Sequence, residues 1–261
     1  MTDYEAVILD VDGTIVRGEA LLPAVTDGLR ALEAAGCSRL LFSNNPTRGA
    51  DHYGEKLAPH GIDVDPNAVL TSATVSAEYL AATHPNERVY LVGGERLEAI
   101  LADAAVELTT DPDAAEVVLG SFDRDFSFGT LWESLRALKG NVPFYGTDPD
   151  ATIPIDDGEI PGSGAILAAM AAVAGREADA ILGKPSSISA AAAMDRLDTD
   201  PRNVLVVGDR LNTDIELGNR AGMETALVLT GVTDRADLAE TDADTEPDHV
   251  LESLAAVDTL L

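Results

Sequence analysis

The chain contains few of the residues on which disulfide-linked, cysteine-ligated or membrane-spanning proteins depend. Cys37 is the single cysteine among 261 residues, so an internal disulfide and a cysteine-rich metal site are both excluded. Its position after Gly36, beside an apolar run, predicts a buried thiol without a catalytic role. The chain has no run of about 18 apolar, uncharged residues, and its first residues lack the basic and apolar pattern of a signal peptide. We expect a soluble, cytoplasmic protein.

Histidines and basic residues are also scarce. The histidines lack the spacing of metal ligands and fall in polar segments, so we expect all of them at the surface: His52, His60, His84 and His249. Lysine and arginine together number 17, against 46 aspartates and glutamates, and the formal net charge is −29. Because this charge repels nucleic acids and anionic membranes, we expect neither as a partner.

The acidic excess accompanies a low aromatic content of 4% and a preference for arginine over lysine. This composition is typical of proteins adapted to high intracellular salt, where concentrated ions screen the repulsion between carboxylates. An acidic face for a cationic partner is the weaker interpretation, because the acidic residues are spread along the chain. We therefore expect a protein from a halophile.

Apolar strand-like runs alternate with helical patterns, which predicts an α/β fold with a parallel sheet covered by helices. Strands are predicted at 4–9, 39–42, 68–70, 203–207 and 225–229, and helices at 23–35, 47–59, 72–82, 213–221 and 251–260. The middle of the chain carries strands and helices of its own. This predicts a smaller α/β domain at 78–179, inserted into a core domain formed by 1–77 and 180–261.

Two carboxylates directly follow the first predicted strand, in the segment Asp10-Val11-Asp12-Gly13-Thr14. Side chains two apart in an extended segment point the same way, and Gly13 permits a sharp turn. Ligands of open α/β sheets bind at the carboxyl ends of strands, so Asp10 stands where a nucleophile belongs and Asp12 where a proton is moved. Taken alone, the segment is equally well explained as an ordinary Asp-Gly turn.

Polar side chains also follow the second predicted strand. Ser43, Asn44 and Asn45 offer a hydroxyl and amides, which can bind phosphate oxygens together with nearby backbone N–H groups and without adding negative charge. By itself this signal is weak.

Only three of the basic residues are lysines: Lys56, Lys139 and Lys184. Lys184 stands between glycine and proline, which in an arginine-rich chain indicates a requirement for a compact point charge. A solvated turn lysine is the alternative. We expect Lys56 and Lys139 to be expendable.

Asp209 and Asp214 lie where the strand at 203–207 gives way to a helix, so they either converge on one pocket or cap that helix. With Asp10 and Asp12 they would place four carboxylates in one pocket, and these cannot all stay ionised beside a phosphate dianion without added positive charge. Lys184 supplies one charge. Oxygen ligands alone favour Mg²⁺ over zinc, so the predicted cofactor is Mg²⁺.

In this order, the segments DVDGT, SNN, GKP and GDRLNTD resemble the motifs of the haloacid dehalogenase superfamily, over nearly the whole chain. The insertion, with its GTDPDATIP and PGSGA segments, is similar to the NagD-like and nitrophenyl phosphatase branch. The resemblance implies a Rossmann-like parallel sheet core with an inserted cap domain. Asp148 departs from the asparagine common in that branch and bears on substrate choice. Asp148 and Asp150 either contact substrate hydroxyls or shape an acidic turn.

The resemblance implies a phosphatase. Asp10 would attack phosphorus and form an aspartyl-phosphate, while Asp12 protonates the leaving alkoxide and later deprotonates water. The Asp10 carboxylate, the Asp12 backbone carbonyl and Asp209 would hold Mg²⁺, with Asp214 orienting water ligands or Lys184. An acid/base aspartate at position 12 favours an oxygen leaving group over a halide, and therefore a phosphatase over a dehalogenase.

The resemblance also implies roles for the remaining polar residues and for the partners. Ser43, Asn44 and Lys184 would bind the transferring phosphoryl group, with Asn45 completing the substrate site. The substrate would be a small phosphorylated metabolite: a sugar phosphate, glycerol phosphate or a nucleotide. The oligomeric state stays open, with a homodimer through the cap domain as one form.

Three alternatives remain at the level of sequence. A phosphomutase or phosphotransferase of the same superfamily could use the same aspartate pair, and a non-catalytic phosphometabolite-binding protein could retain the fold. Glycines at 93–94 and 208 suggest a dinucleotide-binding module, but neither segment completes the GxGxxG pattern.

The composition leads to a first test. We expect the melting temperature to rise with salt concentration, because added ions screen the repulsion that accompanies a net charge of −29. Thermal unfolding followed by circular dichroism from low to molar KCl measures this. A melting temperature that stays flat or falls over that range contradicts the halophilic interpretation.

Overall fold

The computed structural model describes residues 4–155 and 158–261. Strands and helices alternate along the chain, and the predicted α/β class is confirmed. The strands are β1 Ala6–Leu9, β2 Val16–Arg17, β3 Ala20–Leu21, β4 Ser38–Ser43, β5 Val69–Thr71, β6 Val89–Val92, β7 Leu108–Thr109, β8 Val117–Gly120, β9 Phe144–Gly146, β10 Thr152–Ile155, β11 Gly158–Pro161, β12 Ala180–Ile181, β13 Val204–Gly208, β14 Glu224–Val228 and β15 His249–Leu251. The α-helices are α1 Val25–Ala34, α2 Ala50–Leu57, α3 Ser72–Thr83, α4 Glu95–Asp103, α5 Phe128–Ala137, α6 Ser163–Ala174, α7 Ser187–Leu197 and α8 Glu216–Ala221.

The chain forms two compact units. Residues 4–43, 50–70 and 189–261 belong to the first unit, and Asn44–Gly49 with Thr71–Ile188 form the second. The range 78–179 lies wholly within the second unit, and its assignment as an inserted cap domain stays a prediction. Within the described ranges, each helix is too short or too polar to cross a bilayer.

The first unit is built on a six-stranded sheet in the order β15-β14-β13-β1-β4-β5. The two central strands, β1 and β13, are buried along their entire length, as expected for parallel strands covered on both faces. They pair in parallel, with Leu9 opposite Val207. The residues that follow these two strands therefore emerge side by side at the carboxyl edge of the sheet.

The carboxyl end of the chain differs from the prediction of one helix over 251–260. Residues His249–Leu251 instead form β15, which pairs with β14 and completes the edge of the sheet, and Leu254–Thr259 form a 3₁₀-helix. Pairing of residues 249–251 with β14 takes the first residue of the predicted helix into the sheet. The 3₁₀-helix packs closely on α1, where a Cβ at Gly28 would overlap the backbone of Leu254.

The predicted helix at 213–221 also begins differently. Residues Leu211–Ile215 form a π-helical turn that precedes α8. Such wide turns occur in short pieces and are frequent at functional sites.

The second unit contains a parallel five-stranded sheet in the order β12-β9-β8-β6-β7. Helix α6 packs closely on this sheet at Gly120 and Gly146, which end two of its strands. A Cβ at either glycine would overlap Leu167 of α6. The antiparallel hairpin β10–β11 precedes α6, with Thr152 opposite Pro161.

Two predictions about isolated polar side chains have opposite outcomes. Cys37 is buried as predicted, with its Sγ 3.2 Å from the carbonyl oxygen of Tyr4, and burial raises the pKa of its thiol. The surface prediction is wrong for His84, whose side chain is only 11% exposed. Its Nε2 lies 3.0 Å from the hydroxyl of Tyr145, and its ring also contacts Tyr79, because this aromatic cluster encloses it.

Asp148 forms the centre of a buried polar network in the second unit and is 2% exposed. Its carboxylate accepts hydrogen bonds from Ser163 Oγ at 2.6 Å, Thr147 Oγ1 at 3.0 Å and the Asp150 backbone N–H at 3.2 Å. These contacts tie the loop after β9 to the start of α6. They support a turn-shaping role for Asp148 over contact with substrate hydroxyls.

Burial raises the pKa of Asp148 to about 7, and the nearby charge of Asp150 adds to the shift against the hydrogen bonds from Ser163 and Thr147. Because the pKa of Asp148 is higher in the folded than in the unfolded chain, protonation of Asp148 stabilises the folded protein. This stabilisation is fully present below about pH 4 and is lost as the pH rises to about 7. The stability that depends on Asp148 therefore falls with rising pH.

Asp148→Asn removes this titration. We expect the free energy of unfolding of the variant, relative to the natural chain, to rise between about pH 4 and pH 7 by up to about 4 kcal/mol and then level off. Urea unfolding at a series of pH values measures the difference. Asp103→Asn, at an exposed position of α4, is the control, and a pH-independent difference for Asp148→Asn would contradict the prediction.

Candidate active site

Three buried aspartates meet at the carboxyl edge of the first unit's sheet. Carboxylate oxygens of Asp10, Asp209 and Asp214 all lie within 4.8 Å of one another. Asp10 directly follows β1 and Asp209 directly follows β13, so the pairing of Leu9 with Val207 brings the first two together. Asp214 joins them from the π-helical turn. The structure thus brings together three of the four carboxylates expected in one pocket.

Backbone groups and glycines hold Asp209 in place. The N–H of Val232 donates a hydrogen bond to Asp209 Oδ2 at 2.7 Å. A Cβ at Gly13 or at Gly231 would overlap the Asp209 carboxylate, and Gly13 also has a φ of 101°. Thr230 Oγ1 donates to the Gly13 carbonyl oxygen at 2.6 Å, which ties the loop after β14 to the turn after β1. Two loops therefore enclose this carboxylate.

Asp214 and Asp10 are also positioned by local contacts. The backbone N–H of Arg210 donates to Asp214 Oδ2 at 3.1 Å, and a Cβ at Gly208 would overlap the Asp214 side chain. Thr14 Oγ1 donates to Asp10 Oδ2 at 3.3 Å. The glycine that ends β13 is therefore needed for Asp214 to fold back against the strand.

The acidic cluster, defined as Asp10, Asp209 and Asp214, concentrates negative charge where little water is available. Each member is at most 8% exposed, and like charges in a poorly solvated site repel strongly. A cation relieves that repulsion. The donor atoms are oxygens alone, which suits a hard divalent ion such as Mg²⁺ or Ca²⁺.

Asp12 is not a member of the acidic cluster, and its carboxylate has a different partner. Its side chain is 49% exposed, and its Oδ1 lies 3.3 Å from Nζ of Lys56 in α2. The expectation that Asp10 and Asp12 face one volume stays a prediction. The chain already turns here, because Asp12 pairs with Val16 in an isolated bridge and Gly13 adopts positive φ.

Ser43 ends β4 and is 3% exposed. Because Leu41 lies opposite Leu9 in the sheet, Ser43 comes out at the same edge as Asp10. The hydroxyl of Tyr53 in α2 donates a hydrogen bond to Ser43 Oγ at 2.9 Å. Sequence reasoning missed Tyr53 and Lys56, although their spacing on an amphipathic helix just after the SNN segment was visible.

Asn44, Asn45 and Lys184 belong to the second unit. Asn44 Oδ1 accepts a hydrogen bond from the Lys184 backbone N–H at 2.8 Å, and its Nδ2 donates to the Lys184 carbonyl oxygen at 3.0 Å. Ser72 Oγ donates to the Asn44 carbonyl oxygen at 2.7 Å. The side-chain amide of Asn44 thus binds the main chain of Lys184, whose side chain is buried.

Asn45 shapes the following turn. Its Oδ1 accepts from the backbone N–H of Thr47 at 2.9 Å and from Thr47 Oγ1 at 2.8 Å. This pattern is that of an Asx turn, in which the side chain replaces a backbone acceptor.

Family models match both ends of the chain. A haloacid dehalogenase-like hydrolase model matches residues 7–107, and a second model, described as HAD-hydrolase-like, matches residues 181–257. These ranges contain every residue that sequence analysis placed in the site.

Known proteins resemble the chain over nearly its whole length. An acid sugar phosphatase of Staphylococcus epidermidis is 33% identical over 238 residues, which is 91% of each chain. Among solved structures, p-nitrophenyl phosphatase from Archaeoglobus fulgidus has a TM-score of 0.92 and 34% identity, and covers 99% of this chain and 100% of its own. NagD from Escherichia coli K-12 has a TM-score of 0.86 and 27% identity, covering 98% of each chain.

A further neighbour was solved with metal. Glycerol phosphate phosphatase Rv1692 from Mycobacterium tuberculosis, in complex with magnesium, has a TM-score of 0.87 and 28% identity, over 98% of this chain and 77% of its own. A second structure of the same protein contains calcium. Because sequence identity and fold agree across both ends and the middle, the chain belongs to the haloacid dehalogenase-like hydrolases, in their NagD-like branch.

Proposed function

We propose that this phosphoric monoester hydrolase cleaves small phosphomonoesters through a covalent intermediate on Asp10, with Mg²⁺ as cofactor. The observation that carries the proposal is the acidic cluster at the carboxyl ends of two adjacent parallel strands. Family membership and relatives named as phosphatases support the enzyme class.

The proposed reaction has two steps. A carboxylate oxygen of Asp10 attacks phosphorus, the bond from phosphorus to the ester oxygen breaks, and Asp12 gives its proton to the departing alkoxide. Water then attacks the phosphorus of the aspartyl-phosphate and passes a proton to Asp12. The phosphorus–oxygen bond to Asp10 breaks, and inorganic phosphate leaves with Asp10 restored.

The acidic cluster fits a divalent cation. We assign the Asp10 and Asp209 carboxylates and the Asp12 backbone carbonyl as ligands, with Asp214 orienting the surrounding groups. When bound, the ion supplies charge neutralisation for the cluster and for the phosphate dianion. The magnesium complex of the mycobacterial relative supports this choice of ion.

Ser43, Asn44, Asn45 and Lys184 are the proposed phosphate-binding residues. A hydroxyl, amides and one buried lysine can stabilise the charge spread over the transferring phosphoryl group. The side-chain amide of Asn44 also positions Lys184, because it forms hydrogen bonds with the Lys184 backbone.

The proposed substrate class is a small phosphorylated metabolite. The relatives are named for sugar phosphates, p-nitrophenyl phosphate and glycerol phosphate, all of which are phosphomonoesters. We assign residues 78–179 as the cap domain of the enzyme, and a homodimer through that domain is part of the proposal.

Asp10→Asn tests the covalent step. We expect hydrolysis of p-nitrophenyl phosphate to fall by about 10³-fold or more, because an amide oxygen is a poor nucleophile. Released phosphate is measured in Mg²⁺ at molar salt, with circular dichroism to show that the variant folds. Asp51→Asn, an exposed position of α2, is the control. Near-normal turnover by folded Asp10→Asn would remove Asp10 as the nucleophile.

Gly231→Ala tests the cation site without using activity. The added Cβ would overlap the Asp209 carboxylate, so the carboxylate must move. We expect Mg²⁺ affinity, measured by isothermal titration calorimetry without substrate, to fall about 10-fold. Gly129→Ala, where the Cβ would lie 3.5 Å from Ser127 Oγ in ordinary contact, is the control. Unchanged Mg²⁺ affinity in a folded variant would remove Asp209 as a ligand.

A further inference from the structure

Lys56 is a largely enclosed cation beside a residue of the proposed reaction. It lies in the last turn of α2, between the buried residues Tyr53 and Leu57, and its side chain is 9% exposed. An ammonium group with so little access to water requires a counter-charge. Asp12 supplies one, with its Oδ1 3.3 Å from Lys56 Nζ.

The two members of this ion pair differ in freedom. The side chain of Lys56 is 9% exposed, so burial restricts its rotamers. Asp12 is 49% exposed and stands at the start of a tight turn. Lys56 is therefore the fixed partner, and its ammonium group determines where the Asp12 carboxylate lies.

The same helix supports a second residue of the site. Tyr53 precedes Lys56 by three residues, which places the two side chains on one side of α2. The Tyr53 hydroxyl donates to Ser43 Oγ at 2.9 Å. One helix thus contacts the residues that follow or end two adjacent strands, β1 and β4.

We infer that Lys56 is a positioning residue for Asp12, holding its carboxyl group where, once protonated, it gives its proton to the leaving oxygen of an alkyl phosphate. This inference rests on the proposed function, since it assigns Lys56 to the protonation step of that reaction. Lys56 is expected to act through Asp12 and not by contact with the substrate.

Substrates with different leaving groups distinguish a positioning role of Lys56 from a purely structural role. An alkoxide is a strong base and must be protonated as it leaves, whereas p-nitrophenolate is a weak base and leaves with little help. The value of kcat/KM reports steps through the first irreversible one, which includes loss of the leaving group. A misplaced Asp12 therefore lowers kcat/KM for glycerol 3-phosphate far more than for p-nitrophenyl phosphate.

Lys56→Met keeps an apolar stem of similar length and removes the charge. We expect kcat/KM for glycerol 3-phosphate to fall about 10-fold or more, and that for p-nitrophenyl phosphate to change by less than about 2-fold. Lys56→Arg restores a cation and should recover most of the loss. Asp12→Asn should show the same selectivity more strongly, and the double variant should lose no more than Asp12→Asn alone.

Lys139→Gln, at an exposed lysine of the second unit, is the control and should leave both substrates unaffected. Equal losses with both substrates, or a rise in KM without a change in kcat, would overturn the inference in favour of a packing role or direct phosphate binding. If Lys56→Met fails to fold, a folded Lys56→Arg that loses glycerol 3-phosphate hydrolysis as severely as Asp12→Asn also overturns it. A natural chain that hydrolyses neither substrate overturns the proposed function as well, whereas an active natural chain without selectivity in the variants overturns only the role of Lys56.

Discussion

The repulsion among three enclosed carboxylates is the constraint around which the first unit is organised. Asp10, Asp209 and Asp214 would separate in an unfolded chain, and the parallel register of β1 and β13 together with the turn after β13 brings them together. Backbone N–H donors and closely packed glycines supply the restraint. Repulsion within such an arrangement opposes folding, and a divalent cation bound there, as proposed, would offset it.

Long buried elements could be predicted from the sequence, and short or tertiary ones could not. Strands β1 and β13 are continuous apolar runs, so their existence and the aspartates after them were visible. Two-residue strands such as β2 and β3 have no measurable periodicity. The terminal segment formed a strand and a 3₁₀-helix because pairing with β14 outweighed its helical pattern. The surface prediction for His84 was wrong because Tyr145, which contacts its ring, lies 61 residues away in the sequence.

In the site, too, some features could be predicted from the sequence and others could not. The convergence of the acidic cluster followed from strand order, since adjacent parallel strands end at one edge. The pairing of Asp12 with Lys56 depends on where α2 lies relative to the turn after β1, and the DVDGT motif alone does not predict it. Helix α2 lies outside all four motifs, so the contacts of Tyr53 and Lys56 were not predicted from them.

The amide of Asn44 binds peptide groups, not a side chain, across a sequence separation of 140 residues. Hydrogen bonds to the main chain do not depend on the identity of the side chains in the segment between the two residues. Loop-closure entropy grows only logarithmically, so doubling the intervening length costs only about 0.6 kcal/mol. The region between residues 44 and 184 can accordingly be exchanged or lengthened while Lys184 stays bound to the same asparagine.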